Sequence, residues 1–199
     1  MRNIIHYCFA PIAPDALLIG KVVDGRQKTG RLVLTALMSV LAALLQSAGG
    51  FFPGIGYPLS MLSTAPILIC TIHSPFMGGK AFLLTNLLLL LIQPTEIPIF
   101  AGTTGVLGIG LGMAFLYCRR RILMAAFNAL LLLGGIAVLT FLVGIPVLGP
   151  EMASAWSLRQ FLLVYASALL YCLFWVEIGM FLVGRIKRSI GYFGFESGD

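Results

Sequence analysis

Residues 32–57 read LVLTALMSVLAALLQSAGGFFPGIGY, an uncharged stretch with two distinct halves. The first half, from Leu32 to Ala48, is a continuous apolar run that predicts a helix. Small side chains recur at every fourth position of this run and would form one ridge on the helix: Thr35, Ser39, Ala43 and Ser47. In lipid, such a ridge lets a second helix approach closely. The second half is rich in glycine, proline and aromatic residues, which is typical of an ordered lid.

The composition of the whole chain predicts an integral membrane protein. Of 199 residues, 59% are hydrophobic and only 10% are charged, and the mean hydropathy is +1.02. Soluble domains are about 25% charged, so a water-facing surface of ordinary composition is excluded. At roughly 20 residues per crossing, the length allows about six helices and no soluble domain. Because the apolar runs are continuous rather than alternating, we predict an all-α membrane protein rather than a β-barrel.

Six transmembrane helices account for the apolar runs. We predict crossings at Leu32–Ala48, Tyr57–Ile72, Phe76–Ile92, Ile97–Tyr117, Ile122–Val143 and Gln160–Gly184. The transmembrane domain then covers residues 32–184, between a cytoplasmic or interfacial segment, 1–31, and a cytoplasmic tail, 185–199. A short interfacial helix is predicted at residues 15–23. A signal peptide is not expected, because Asp15 and two prolines interrupt the N-terminal apolar run.

The distribution of positive charge supports an even number of crossings. The net charge is +6, and all but one of the 13 Lys and Arg residues fall on one side of a six-helix topology. They lie before the first span, at Lys80, at 119–121 and after the sixth span, which places both termini in the cytoplasm. The exception is Arg159, at the start of the sixth span. Because these residues flank apolar spans, they indicate topology rather than nucleic-acid binding.

Residues for catalysis and for metal binding are scarce. The chain has two histidines, His6 and His73, and four cysteines without a CxxC or metal-ligand spacing. We therefore predict no catalytic residues, no metal, no cofactor and no enzymatic activity. The glycine-rich run at residues 102–112 lies within a span and follows no strand, which excludes a phosphate-binding loop. Its four-residue ridge, Thr104, Gly108 and Gly112, predicts a groove for helix packing.

Three polar residues are candidates for ligand binding. Glu177 lies well inside the sixth span. One possible role is a ligand contact or a site that binds and releases a proton. The other is an ion pair with Arg185 or with one of the arginines at 119–121. Arg159 either clamps an anionic group or anchors its helix at the membrane surface, paired with Glu151. Asn86 shares a helical face with Gln93, seven positions later, and that face turns away from lipid toward a substrate or another helix.

Aromatic residues on the predicted outer loops allow two interpretations. Phe52, Tyr57 and Trp156 either form part of an interfacial aromatic belt or stack on a planar ligand beneath the lid. The sequence alone does not choose between these roles.

The chain resembles the substrate-binding S component of energy-coupling factor (ECF) vitamin transporters. The matching features are Ser39-xxx-Ala43 within TALMSVLAALLQS, the lid-like GGFFPGIGYP and the following TAPILIC, within a six-span architecture. In that family the small-residue motif begins with alanine, so Ser39 departs from it. The resemblance implies a multi-pass protein of a prokaryotic cell membrane that captures a vitamin-like molecule on the external side. Its partners would be a transmembrane coupling protein and two cytoplasmic ATPases, since this chain has no Walker motif.

This resemblance implies roles for particular residues. The substrate would contact Phe52, Tyr57, Asn86, Trp156, Arg159 and Glu177, and the Thr35–Ser39–Ala43–Ser47 ridge would dock on the coupling protein. Two other classes of protein remain open at this point. One is a membrane scaffold similar to the cell-shape factor MreD, which needs packing ridges but no ligand. The other is a small intramembrane enzyme that uses Glu177 and His73.

Overall fold

The structure, a computed structural model, describes residues 28–52, 54–118, 120–145 and 158–195, and most of these residues are helical. In chain order the helices are α1 (Lys28–Phe51), α2 (Gly56–Met61), α3 (Thr64–His73), α4 (Pro75–Ile92), α5 (Ile97–Gly102), α6 (Thr104–Tyr117), α7 (Arg121–Val138) and α8 (Leu158–Phe195). A single 3-10 turn, Pro94–Glu96, precedes α5, and a wider π turn, Leu139–Val143, extends α7.

Five stretches of the described chain are long and apolar enough to cross a membrane. They are Lys28–Phe51, Pro75–Ile92, Pro94–Tyr117, Arg121–Val143 and Leu158–Arg185. Together with the absence of strands from the described residues, they confirm the all-α, multi-pass membrane character. The interfacial helix predicted at residues 15–23 lies outside the described residues.

The second predicted span, Tyr57–Ile72, is divided into two helices. The chain turns at residues 62–63, between α2 and α3, and α3 is only 10 residues long. Pro66 lies in the first turn of α3, where its missing N–H would have no partner within the helix, so the proline is accommodated without a break. Its neighbours Ile67, Leu68 and Ile72 are fully buried, which makes α3 an interior element.

Contacts between helices fix the direction of the first three segments. Ser39 of α1 lies 3.3 Å from the carbonyl of Ala81 in α4, and Gln46, two turns later, reaches Glu96 beyond the end of α4. The helices α1 and α4 therefore run parallel, and the α2–α3 segment returns the chain between them.

Glycines along α6 fit against α3. A Cβ atom on Gly108 would lie 2.8 Å from Ile67 Cβ, and one on Gly112 would collide with Thr71. The hydroxyl of Thr64 adds a hydrogen bond of 3.2 Å to the carbonyl of Thr104. The predicted packing groove on this ridge is thereby confirmed, with α3 as the helix that occupies it.

The remaining helices complete the bundle around α3 and α6. Gly135 of α7 packs against the backbone of Gly102, while Asn128 packs against Gly110, so α7 runs antiparallel to α5 and α6. Gly179 of α8 lies against the ring of Phe115 in α6. The larger apolar cluster formed by these helices includes Leu68, Leu111, Met124, Trp175 and Val176, each at most 1% exposed.

A left-handed glycine closes the α7 segment. Gly144 has φ +76° and follows the π turn, a backbone conformation that side chains strongly disfavour. The helical segment therefore ends at Val143, where the sequence predicts the end of the fifth span.

Candidate functional site

A cavity of about 540 Å³ lies among α1, α2, α5, α6, α7 and α8. Its rim includes Tyr57 and Met61, which are 64% and 47% exposed, so the cavity is reached from the surroundings of the molecule. The wall is mostly apolar, with hydroxyl groups and one amide at intervals. The lining residues are Gln46, Tyr57, Ser60, Met61, Ile99, Thr103, Thr104, Leu107, Leu132, Ile136, Ile145, Val164, Ser167, Ala168 and Tyr171.

A buried amide side chain organises the polar part of this cavity. Gln46 Oε1 accepts hydrogen bonds from the hydroxyls of Ser63 and Thr104, both at 2.8 Å. Its Nε2 donates to Glu96 Oε2 at 2.9 Å. One side chain thus connects α1 with the α2–α3 turn, the start of α6 and the turn before α5.

The energetic reason for this cluster is the cost of burying polar groups in an apolar bundle. Gln46, Ser63 and Thr64 are fully buried, and Glu96 is 9% exposed. An unpaired amide or carboxyl group in such a place costs several kcal/mol, so these groups are stable there only because they bond one another. We call Gln46, Ser63, Glu96 and Thr104 the polar cluster.

Other residues of the cavity wall also carry hydroxyl groups. The hydroxyls of Thr103 and Ser167 donate to carbonyls of their own helices, at Ile99 and Val164, and keep lone pairs that can accept hydrogen bonds. The Tyr171 hydroxyl is buried and has no hydrogen-bond partner of ordinary geometry among the described residues. A phenol hydroxyl can both donate and accept. The cavity therefore suits a mostly apolar molecule that carries a few polar atoms.

Of the predicted substrate contacts that fall within the described residues, only Tyr57 lines this cavity. Phe52 is 62% exposed, and it is absent from the cavity wall. Asn86 donates to the carbonyl of Phe82 at 2.8 Å on α4. Arg159 is exposed at the start of α8, outside the wall. Trp156 lies outside the described residues.

Glu177 forms an ion pair away from the cavity. Its Oε1 lies 3.3 Å from Arg121 Nη1, and the two side chains are 45% and 18% exposed. This is the pairing with the 119–121 cluster that the sequence offered as one of two roles for Glu177.

The small-residue ridge of α1 faces the interior of the chain. Ser39 and Ala43 are fully buried, and Thr35 and Ser47 are 6% and 3% exposed. The Ser39 hydroxyl lies 3.3 Å from the carbonyl of Ala81, and Thr85 Oγ1 lies at the same distance from the carbonyl of Ser39. The ridge thus packs against α4, and a partner would reach it only if α1 and α4 separated. Docking through this ridge stays a prediction.

Sequence reasoning missed most of the cavity. Gln46 was visible as the one amide in the first apolar run, but a single polar residue has no periodicity to assign it a role. Thr104 was assigned only to helix packing, and Ser63 and Tyr171 carried no pattern at all. One signal could have identified Gln46 as part of a polar site. An amide in an apolar span is costly without a hydrogen-bond partner, so its presence predicts partners on other helices.

Among the described residues, no three His, Cys, Asp or Glu side chains lie close enough together to hold a metal ion. No protein-family model, no curated protein and no solved structure matches this chain. Its class therefore follows from its own features: it is an all-α membrane protein with a cavity next to a buried polar cluster.

Proposed function

We propose that the chain is the substrate-binding membrane subunit of an ECF-type uptake transporter. The observation that carries the proposal is the cavity of about 540 Å³, a size suited to a small vitamin-like molecule. Its rim includes Tyr57, near the end of the glycine-rich segment that the sequence favours as a lid, and Ser60 and Met61, just after that segment. The polar cluster supports one wall, and the hydroxyl of Ser167 supplies an acceptor that can orient the substrate.

The proposal includes six membrane crossings, with the α2–α3 segment as the second. Lys28, Arg31 and Lys80 line one cleft at the end of the bundle where α1 and α4 begin. By the positive-inside rule this end is cytoplasmic, and both ends of the described chain belong to it. Gln46, near the end of α1, and Thr104, at the start of α6, line the cavity. Both lie at the end of the bundle opposite the basic residues, so in this proposal the cavity opens to the external side.

Delivery of the substrate requires partners that supply energy. We propose a transmembrane coupling protein and two cytoplasmic ATPases, in keeping with the resemblance of the α1 ridge and of the lid segment to the ECF family. Apolar residues on the outer face of α1, Leu37, Val40 and Leu44, are 60%, 45% and 56% exposed. This face is available to a coupling helix without any rearrangement, whereas the buried ridge needs α1 to move.

The two rival classes explain less of the structure. A scaffold needs close helix packing but no cavity with oriented hydroxyl groups. An enzyme based on His73 and Glu177 would place both residues at one cavity, and neither lines the large cavity beside the polar cluster. His73 Nδ1 instead lies 2.8 Å from the carbonyl of Ile69.

Native mass spectrometry of the chain purified from its own host tests the proposal. We expect a stoichiometric small molecule, together with coupling and ATPase subunits in mild detergent. In the variant Ser167→Phe the new ring occupies part of the cavity and competes with the ligand for space, and occupancy should fall about tenfold, which corresponds to a loss of about 1.4 kcal/mol of binding free energy. The control Leu170→Phe changes a side chain that is 68% exposed and outside the wall, and should retain the molecule.

Two results would overturn this function. A wild-type chain that carries no small molecule but copurifies with envelope-assembly proteins would favour the scaffold. A bound molecule that Ser167→Phe and Leu170→Phe retain equally would place the binding site elsewhere.

A further inference from the structure

A second cleft, of about 320 Å³, lies between the first turns of α1 and α4, at the opposite end of the bundle from the polar cluster. Its wall combines cationic, hydroxyl and apolar side chains. We call it the basic cleft, and the residues that matter for its chemistry are Lys28, Arg31, Leu32, Ser74, Phe76 and Lys80.

Among the described residues, the charged side chains that line the basic cleft are all positive. Lys28, Arg31 and Lys80 contribute three cationic groups, and no described carboxylate lines the wall. The two acidic residues of the described chain lie elsewhere: Glu96 bonds Gln46, and Glu177 pairs with Arg121. Three cations around one small volume attract an anion with several oxygen atoms, such as a phosphate group.

The start of α4 adds neutral donors to these charges. Ser74 precedes Pro75 in an extended conformation, and its hydroxyl makes no capping hydrogen bond to the helix. The N–H groups of the first turn of this 18-residue helix carry the positive end of its dipole. The hydroxyl and the helix terminus therefore reinforce the cationic groups at the same cleft.

Exposed apolar side chains adjoin the cations. Leu32 and Phe76 are 60% and 72% exposed, and Lys80 Nζ lies 4.6 Å from the centre of the Phe76 ring. A free phosphate ion gains nothing from apolar neighbours, whereas a phospholipid presents a phosphate group and an acyl chain side by side. We propose that the basic cleft binds an anionic phospholipid, with the phosphate between Arg31 and Lys80 and an acyl chain along Leu32 and Phe76.

This inference does not depend on what the cavity at the other end binds. Lys28, Arg31 and Lys80, which the sequence analysis uses only as indicators of membrane topology, would here form a lipid-binding site. The bound lipid would join α1 to α4 near their first turns, where both helices expose cationic as well as apolar side chains.

Native mass spectrometry of the full chain from micelles that contain phosphatidylglycerol and phosphatidylcholine tests the site. We expect a retained phosphatidylglycerol molecule in preference to phosphatidylcholine. The double variant Arg31→Gln/Lys80→Gln should lower its retention on the order of tenfold or more, given the contribution of each cation near an anionic lipid. The single variant Lys80→Gln has a matched control in Arg120→Gln, since each removes one exposed cation and Arg120 lies outside the cleft.

Two further measurements distinguish a bound lipid from a free phosphate ion. Phe76→Ala should weaken phosphatidylglycerol retention while leaving every charge in place. Inorganic phosphate added in excess should not displace the lipid. If the double variant fails to fold, Lys80→Gln alone decides, because Lys80 is exposed and its replacement leaves the core intact.

The site is overturned by equal retention in the wild type and the cleft variants, or by equal loss in Arg120→Gln, which would indicate general surface charge. Displacement of the lipid by inorganic phosphate would overturn the assignment to a lipid and identify a phosphate-ion site.

Discussion

Gln46 Nε2 donates a hydrogen bond of 2.9 Å to Glu96 Oε2 across 50 positions of sequence. The amide is fully buried, and the carboxyl-bearing residue is 9% exposed. This contact joins the last turns of α1 to the turn that precedes α5, at the wall of the large cavity. The shape of that wall therefore depends on a polar contact inside an otherwise apolar bundle.

Replacing Gln46 by leucine should destabilise the protein more than any surface change near the cavity. Gln46→Leu removes the hydrogen bonds to Ser63, Thr104 and Glu96 and leaves the carboxyl group buried without its donor. The expected loss is roughly 2–4 kcal/mol of unfolding free energy. Thermal unfolding in detergent micelles, followed by circular dichroism, measures it.

The control for Gln46→Leu is Ser60→Ala. Ser60 also lines the cavity, but its hydroxyl bonds only the carbonyl of Tyr57 in an exposed position. Its removal should change stability by about 0.5 kcal/mol or less. Equal melting temperatures for the two variants would show that the polar cluster does not stabilise the fold.

Enlarging Ala43 should separate α1 from its neighbours. Ala43 is fully buried in the cluster that contains Ala42, Ile67 and Ala81. Ala43→Leu should cost about 1–3 kcal/mol through overpacking, and should lower ligand occupancy in parallel. Val40→Leu, on the exposed face of the same helix, is the control and should be neutral. Loss of transport by Ala43→Leu with unchanged stability and ligand binding would instead support docking through the ridge.

A methyl group on Gly108 should push α6 away from α3. The added carbon would lie 2.8 Å from Ile67 Cβ and 3.0 Å from the carbonyl oxygen of Thr64, and neither is the mobile end of a side chain. Gly108→Ala should therefore lower the melting temperature, by an amount equivalent to about 1–3 kcal/mol. Gly134→Ala on α7 meets nothing within 4 Å and should be neutral or stabilising. The reverse order of the two melting temperatures would contradict the α3–α6 contact.

Neutralising Glu177 should have little effect. The pair with Arg121 is partly exposed, and such pairs contribute about 1 kcal/mol or less. Glu177→Gln should therefore lower stability slightly and leave ligand occupancy unchanged, as native mass spectrometry and thermal unfolding would show. A large drop in occupancy would restore Glu177 as a substrate contact.

Much of the architecture could be predicted from the sequence, because close helix packing in lipid requires small residues at a regular helical spacing. The four-residue spacing of Thr35, Ser39 and Ala43 and that of Gly108 and Gly112 both correspond to faces buried against another helix. The break between α2 and α3 could not be read in the same way. Serine and threonine there bond groups on other helices, as Thr64 does with Thr104, and a local pattern contains no information about those partners.

The candidate site was harder to predict than the fold. Arg159 and Asn86 were singled out because polar residues in apolar runs are rare, but rarity does not determine where a side chain points. Asn86 bonds its own helix at Phe82, whereas Gln46, equally isolated in sequence, bonds three distant residues. The difference arises from tertiary packing alone.

The brevity of α3 has a consequence for how the chain enters the bilayer. At 10 residues it is about 15 Å long, roughly half the thickness of the hydrocarbon core. The buried hydroxyls of Thr64 and of Ser63, in the turn before α3, bond groups on other helices. We therefore expect α3 to be retained in the membrane only after α4 and α6 have emerged from the ribosome. A nascent chain halted just past His73 should leave this segment accessible to water, and continued synthesis should then draw it into the bilayer.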